Sequence, residues 1–169
     1  MKDAIFTSDR LGYRLYQEND LADLIRLDND PEVRAFFPMR MPTAEEIKIN
    51  IQRNIHYFLE NGYGVFIMVE LATGEFVGRC GFKRWSTGEI EVGYVFLKKF
   101  WGRGLATEAL DALLAWAEKN IVIDKIIAFT PVAHKASERV MQKCGMECYK
   151  HAVMYNVDCV FYQKKLNQI

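Results

Sequence analysis

The chain has 169 residues, 22 basic against 22 acidic side chains, and half of its residues are hydrophobic. That length suits one domain over residues 1–169, and the ordinary mixture of apolar and charged residues excludes a disordered chain. Zero formal charge removes the electrostatic footprint of a nucleic-acid binder, and no apolar run nears the ~18 residues a membrane span needs. The opening MKDAIFTSDRLGYRLYQ has no apolar leader segment, so a soluble cytoplasmic protein is expected, with Cys80, Cys144, Cys148 and Cys159 reduced.

In chain order, residues 11–17 read as the first strand. Glu18, Asn19 and Asp20 offer caps for a helix through Leu27, and Asp28-Asn29-Asp30-Pro31 stops it. Thr43 and Glu46 have the spacing of a capping box, opening a helix that Ile47, Ile51, Ile55 and Phe58 carry to about Gly62. Three extended runs follow, 65–71, 76–83 and 89–97, separated by Thr73-Gly74 and Ser86-Thr87-Gly88 in the manner of an antiparallel meander. Residues 104–120 are Ala- and Leu-rich and helical. Residues 126–129 form a buried strand, 135–144 a helix closed by Gly145, and 146–152 with 157–166 a last strand pair. The order β-α-α-β-β-β-α-β-α-β-β is that of a mixed α/β domain.

The stretch with chemical content joins the fourth strand to the Ala/Leu-rich helix and carries Gly102 and Gly104. The first amides of a helix have no internal partners and sit at the positive end of its dipole. Glycines let the preceding loop turn its own amides into the same concavity, so a phosphate or pyrophosphate fits there. Lys99 and Arg103 add charge at its rim. The third glycine of a dinucleotide fingerprint is missing, Asp124 precedes its strand instead of ending it, and no P-loop run occurs. Taken alone, strand–GxG–helix also describes two turn glycines before a helix.

The string Lys99-x-x-Gly102-x-Gly104-x-Ala106 after a strand resembles the acyl-CoA pyrophosphate motif of the GNAT superfamily of N-acyltransferases. The longer VGYVFLKKFWGRGLATEAL resembles the Rim-type branch, which acetylates N-termini of ribosomal proteins. Residues 8–15, 29–34 and 136–146 are similar to that branch's opening strand, first-helix exit and second conserved helix, in order along nearly the whole chain. The resemblance implies a mixed, mostly antiparallel twisted sheet flanked by helices and splayed between the fourth and fifth strands. It implies acetyl-CoA as cosubstrate, no metal, and acetyl transfer to an amine. The pantetheine arm would pair with backbone of Val95, Phe96 and Leu97. The pyrophosphate would lie against Phe100, Trp101, Gly102, Arg103, Gly104, Leu105, Ala106 and Thr107. His134 stands where the family usually has an Asn that hydrogen-bonds pantetheine. A neutral His keeps one donor and one acceptor, and it equally suits an exposed or capping place at the helix start.

An amine is protonated at pH 7 and must lose a proton before it attacks. Glu91 is the candidate base and Glu89 the runner-up on the same strand face; both equally suit a solvated surface. A backbone N–H near Val95 or Phe96 would face the oxyanion. Ser137, matching the family's serine, is the candidate for protonating or anchoring the departing sulfur, against a first-turn serine bonded to helix backbone. Tyr94 also has a proton to give, although strand tyrosines more often pack. Cys144, Cys148, His151 and His134 lack zinc-site spacing, so no metal is expected. The acceptor, a protein N-terminal amine or a small amine, should lie between the two early helices and the last hairpin, against residues 36–42 and Tyr155-Asn156. Arg34 or Arg40 would meet a carboxyl-bearing acceptor; Asp28, Asp30 and Glu32 would suit a polyamine. A non-catalytic acyl-CoA-binding sensor or interaction module is the alternative. Neither reading calls for a nucleic-acid or membrane partner, and the chain would act as a monomer or homodimer.

Overall fold

The computed structural model describes residues 3–37 and 39–166. An opening hairpin, β1 (Ala4–Thr7) and β2 (Leu11–Arg14), leads into α1 (Leu21–Asp28), α2 (Pro31–Arg34) and α3 (Ala44–Asn61). The meander β3 (Val65–Glu70), β4 (Phe76–Arg84) and β5 (Ile90–Phe96) follows. Then come α4 (Leu105–Asn120), β6 (Lys125–Pro131), α5 (Lys135–Lys143), β7 (Glu147–Met154) and β8 (Val157–Lys165). All strands join one sheet in the order β1-β2-β3-β4-β5-β6-β8-β7.

Two local expectations need correction. The strand expected over 11–17 ends at Arg14 because Asp20 turns the chain. Its carboxylate takes both terminal nitrogens of Arg14, at 2.8 and 2.6 Å, and the Gln17 amide at 2.7 Å. Asp30-Pro31, read as a stop, opens α2 as well: Asp30 accepts from the amides of Glu32 and Val33, and Pro31 occupies the first turn, where no amide is needed. Strand β1 and helix α2 are additions to the expected order. The capping box of α3 is present, with Glu46 N to Thr43 Oγ1 at 3.2 Å and Thr43 N to Glu46 Oε2 at 2.7 Å.

Alternation along β4 places its side chains on both faces of the sheet. Phe82 stacks on Trp116 of α4, which also meets Phe6 and Phe66, while Arg79 reaches Asp28 at the end of α1. Helices therefore cover both faces. Gly78 lets β4 and β5 lie close, since a Cβ there would come within 2.0 Å of the Val95 carbonyl oxygen.

The feature that positions the site is the junction of β5 and β6. Their parallel pairing has two rungs, Ile90 with Ile126 and Glu91 with Ile127, and stops there. Beyond it β5 keeps its partner β4 as far as Phe96, and β6 keeps β8 as far as Pro131. The expected splay between fourth and fifth strands is this one, counted as β5 and β6 once the opening strand is included.

Candidate active site

A cleft of about 890 Å³ opens in the splay. Its floor includes Glu91, Tyr94, Val95 and Phe96 of β5; the start of α4 forms one end, and His134 and Ser137 at the head of α5 form a wall. At the α4 end, Gly102 and Gly104 hold φ of 72° and 76°, values that a side chain penalises. Gly102 has open space where a Cβ would stand. The first bond of α4 is Glu108 N to Gly104 O at 3.2 Å, so the amides of Leu105, Ala106 and Thr107 have no partner inside the helix. The indole Nε1 of Trp101 donates to the Phe96 carbonyl at 2.9 Å and pins the loop to the end of β5. Open cleft, unpartnered amides and absent Cβ atoms together fit a narrow ligand arm ending in a pyrophosphate.

Glu91 lies at the last rung before the splay. Burial raises its pKa above the usual carboxylate range, although Trp85 Nε1 donates to its Oε2 at 2.8 Å. The Tyr94 hydroxyl and Ser137 Oγ are 3.1 Å apart, and burial pushes Tyr94 up to about 12. His134 precedes α5 without capping it: its ring stacks on Phe36, centroids 3.8 Å apart, and burial lowers its pKa.

The family model for the acetyltransferase (GNAT) domain matches residues 10–147. The chain belongs to the GNAT acetyltransferase family. Among relatives, the uncharacterized protein YkkB of Bacillus subtilis (strain 168) is 33% identical over 167 residues, covering 94% of each chain. A GNAT-family acetyltransferase structure from Bacillus anthracis superposes with a TM-score of 0.81 at 25% identity, over 94% of this chain and 96% of its own. The Salmonella typhimurium acetyltransferase that modifies the N-terminal serine of ribosomal protein L7/L12 shares the fold, with a TM-score of 0.80 at 20% identity over 98% and 100%. The chain is an acetyl-CoA-dependent acetyltransferase, as the loop motif led one to expect.

The acetyltransferase cleft gathers most of the residues singled out in the sequence. Glu91, Ser137, Val95, Phe96, Phe100, Trp101, Gly102, Gly104, Leu105, Ala106, Thr107 and His134 all line it. Four candidates stand apart. Leu97 is buried and its amide is bonded to the Val77 carbonyl at 2.9 Å. The Arg103 guanidinium pairs with Glu70 at 2.6 Å and lies over the Phe100 ring, while Lys99 pairs with Glu75. Glu89 precedes β5 and pairs with Lys125 at 3.2 Å, leaving Glu91 as the carboxylate in the cleft. Glu108 is structural: its carboxylate takes Ser8 Oγ at 2.6 Å and the Arg10 amide and Nε at 2.7 Å each.

Cys144 is buried with its thiol on the Thr107 carbonyl, Cys148 lies 3.8 Å from His151 Nε2, and no group of three metal-type side chains assembles among the described residues. All four cysteines are free. Of the expected acceptor loop, Phe36, Phe37 and Met39 line the cleft with Tyr155, and Pro38 falls outside the described residues. The sequence reading missed the Phe36–His134 stack, the Trp85 bond to Glu91 and the Asp28–Arg79 pair. The first and third join segments far apart in the chain, for which one sequence holds no local signal; the second spans six residues across the β4–β5 turn, where the hairpin is legible but the side-chain pairing depends on its register.

Proposed function

We propose that this acetyltransferase moves the acetyl group of acetyl-CoA to a primary amine, small or at a protein N-terminus, by direct attack in a ternary complex. The whole chain acts as one catalytic unit in the cytoplasm, as a monomer or homodimer. Acetyl-CoA supplies the acetyl group as an activated thioester. Its pyrophosphate is held by the amides from Gly102 to Thr107, those of Phe100 and Trp101 being already bonded to the Leu97 and Lys98 carbonyls, and its arm lies along Val95 and Phe96, whose edge toward β6 has lost its strand partner. His134 flanks that arm. Glu91 takes the proton from the amine, directly or through water, and its raised pKa brings it nearer the pH at which a base is most effective. A β5 amide beside Val95 or Phe96 faces the developing oxyanion. The Ser137–Tyr94 hydroxyl pair delivers a proton to the thiolate that leaves.

The observation that carries this reading is the half-buried Glu91 on the same cleft wall as the strand edge that receives the arm. A sensor needs the grip on the ligand but has no use for a carboxylate made more basic inside the cleft. Free-thiol release from acetyl-CoA against an amine panel tests it. Turnover should be seen with at least one amine, and Glu91→Gln and Ser137→Ala should lose rate while calorimetry finds acetyl-CoA binding intact. Binding without turnover across the panel favours the sensor, and full rate in both variants removes the assigned roles.

A further inference from the structure

A second cavity, of about 600 Å³, lies beside the cleft between α1, the loop after α2, and α3. Met39 and Arg79 line both, so the two spaces meet at these residues. Four guanidinium groups face the second cavity, from Arg34, Arg40, Arg53 and Arg79, against two carboxylates, Asp28 and Glu46. Neither carboxylate is spare. Asp28 is held by both terminal nitrogens of Arg79 at 2.7 and 2.8 Å. Glu46 is held by both terminal nitrogens of Arg40 and by the Thr43 amide.

Two cations are left over. Arg53 lies two turns beyond Glu46 on the same side of α3, together with Asn50, and no acid of the cavity remains to neutralise it. Arg34 uses one terminal nitrogen on the carbonyls of Met39 and Arg40, at 2.8 and 3.0 Å, and its guanidinium lies over the Phe37 ring. Its Nε is buried and has no hydrogen-bond partner among the described residues. That Nε is closed to solvent and so to any ligand in the cavity; what Arg34 offers an oxyanion is its other terminal nitrogen, Nη1, which makes no hydrogen bond among the described residues. Burial and the nearby Arg79 both work against the Arg34 charge, with Asp28 only partly offsetting them.

We infer that the acceptor is an amine that also carries an anionic group, a carboxylate or a phosphate, and that Arg34 and Arg53 hold this group while the amine reaches past Met39 to Glu91. The inference rests on the acetyl transfer proposed above and narrows its substrate class. The sequence admitted a polyamine through Asp28, Asp30 and Glu32. Asp28 is already saturated by Arg79, and Asp30 is committed to capping α2.

The test pairs ω-amino carboxylates and aminoalkyl phosphates with diamines of matched length, and peptides bearing Glu at the second position with their Gln counterparts. The two sets separate small acceptors from peptide ones. Anionic acceptors should show kcat/KM about tenfold or more above their matched partners, the scale of one charge-assisted contact. Arg53→Ala and Arg34→Gln should raise KM for anionic acceptors, with kcat and the acetyl-CoA Kd unchanged. Arg53→Glu should move the preference toward diamines. Arg53 is exposed on its helix, so its variants report even if Arg34→Gln folds poorly. Equal or better use of diamines, or indifference to Arg53, overturns the inference while leaving acetyl transfer standing. If no amine turns over, the proposed reaction fails instead; calorimetry of the same compounds on the protein then decides the pocket, and equal binding of carboxylates and diamines overturns it.

Discussion

At Glu91 burial and the Trp85 indole act in opposite directions, and burial prevails, so the carboxyl holds its proton to higher pH than a free one. The acid limb of kcat/KM should therefore lie above the ordinary carboxylate value, and Glu91→Gln should lower kcat by roughly 10²–10⁴-fold with acetyl-CoA affinity intact. The raised folded pKa also fixes a sign for stability. Native Glu91 prefers to be neutral, so its contribution is complete below the unfolded pKa and fades as pH rises through the folded one. Urea midpoints for Glu91→Gln should not show this fade. Glu108 is the converse case. Burial works against its charge, but bonds from Ser8 and Arg10 overcome it and leave its pKa lowered. Its stabilisation is present above the unfolded pKa and lost as pH falls through the folded one, so the deficit of Glu108→Gln should close in acid.

Among the elements, the loop before α4 gives the cleanest variant. A Cβ at Gly104 would meet Arg10 Nη2 at 3.7 Å, an ordinary contact, so the cost of Gly104→Ala comes from its positive φ alone. That cost is about 1–2 kcal/mol, and relaxation of the loop should weaken acetyl-CoA binding in calorimetry. Thr43→Ala supplies the contrast: loss of the α3 cap should remove about 1 kcal/mol of stability and leave kcat unchanged.

These two elements were legible because their signals are local. A Thr three residues before a Glu, or two glycines between a strand and a helix, act through backbone that lies next to them. Strand β1 was not legible: Ala4–Thr7 offers four residues without a fully buried side chain and gains its place only by pairing with β2 and packing Phe6 on Tyr13. Helix α2 was legible in principle, since Asp-Pro-Glu carries both a cap and a first-turn proline. The same letters also end α1, so the stop signal masks the start that follows it.

Across the molecule, contacts distant in sequence determine what the acceptor side offers. Asp28 and Arg79 come from the end of α1 and from β4, and nothing in either segment announces the other. Removing the carboxylate leaves a guanidinium facing both cavities without its counter-charge. Asp28→Ala should cost about 3 kcal/mol in urea unfolding, the low end for a broken enclosed pair because Arg79 keeps some contact with solvent. Of the four arginines of the neighbouring cavity the sequence analysis singles out Arg34 and Arg40, and the fold adds Arg53 and Arg79. Which of them were already neutralised depended on the fold, and so did the balance between cationic and anionic acceptors.

The brief seam between β5 and β6 has a mechanical consequence. Two rungs of ladder are what β6, β8 and β7 share with the other five strands. In the free protein this carboxyl-terminal leaf should open on its own, and deuterium should enter the amides of β6 sooner than those of β3 and β4. A cosubstrate arm laid in the gap would act as a suture, slowing exchange on both banks and raising the melting temperature together, so that each turnover would leave the sheet briefly unstitched.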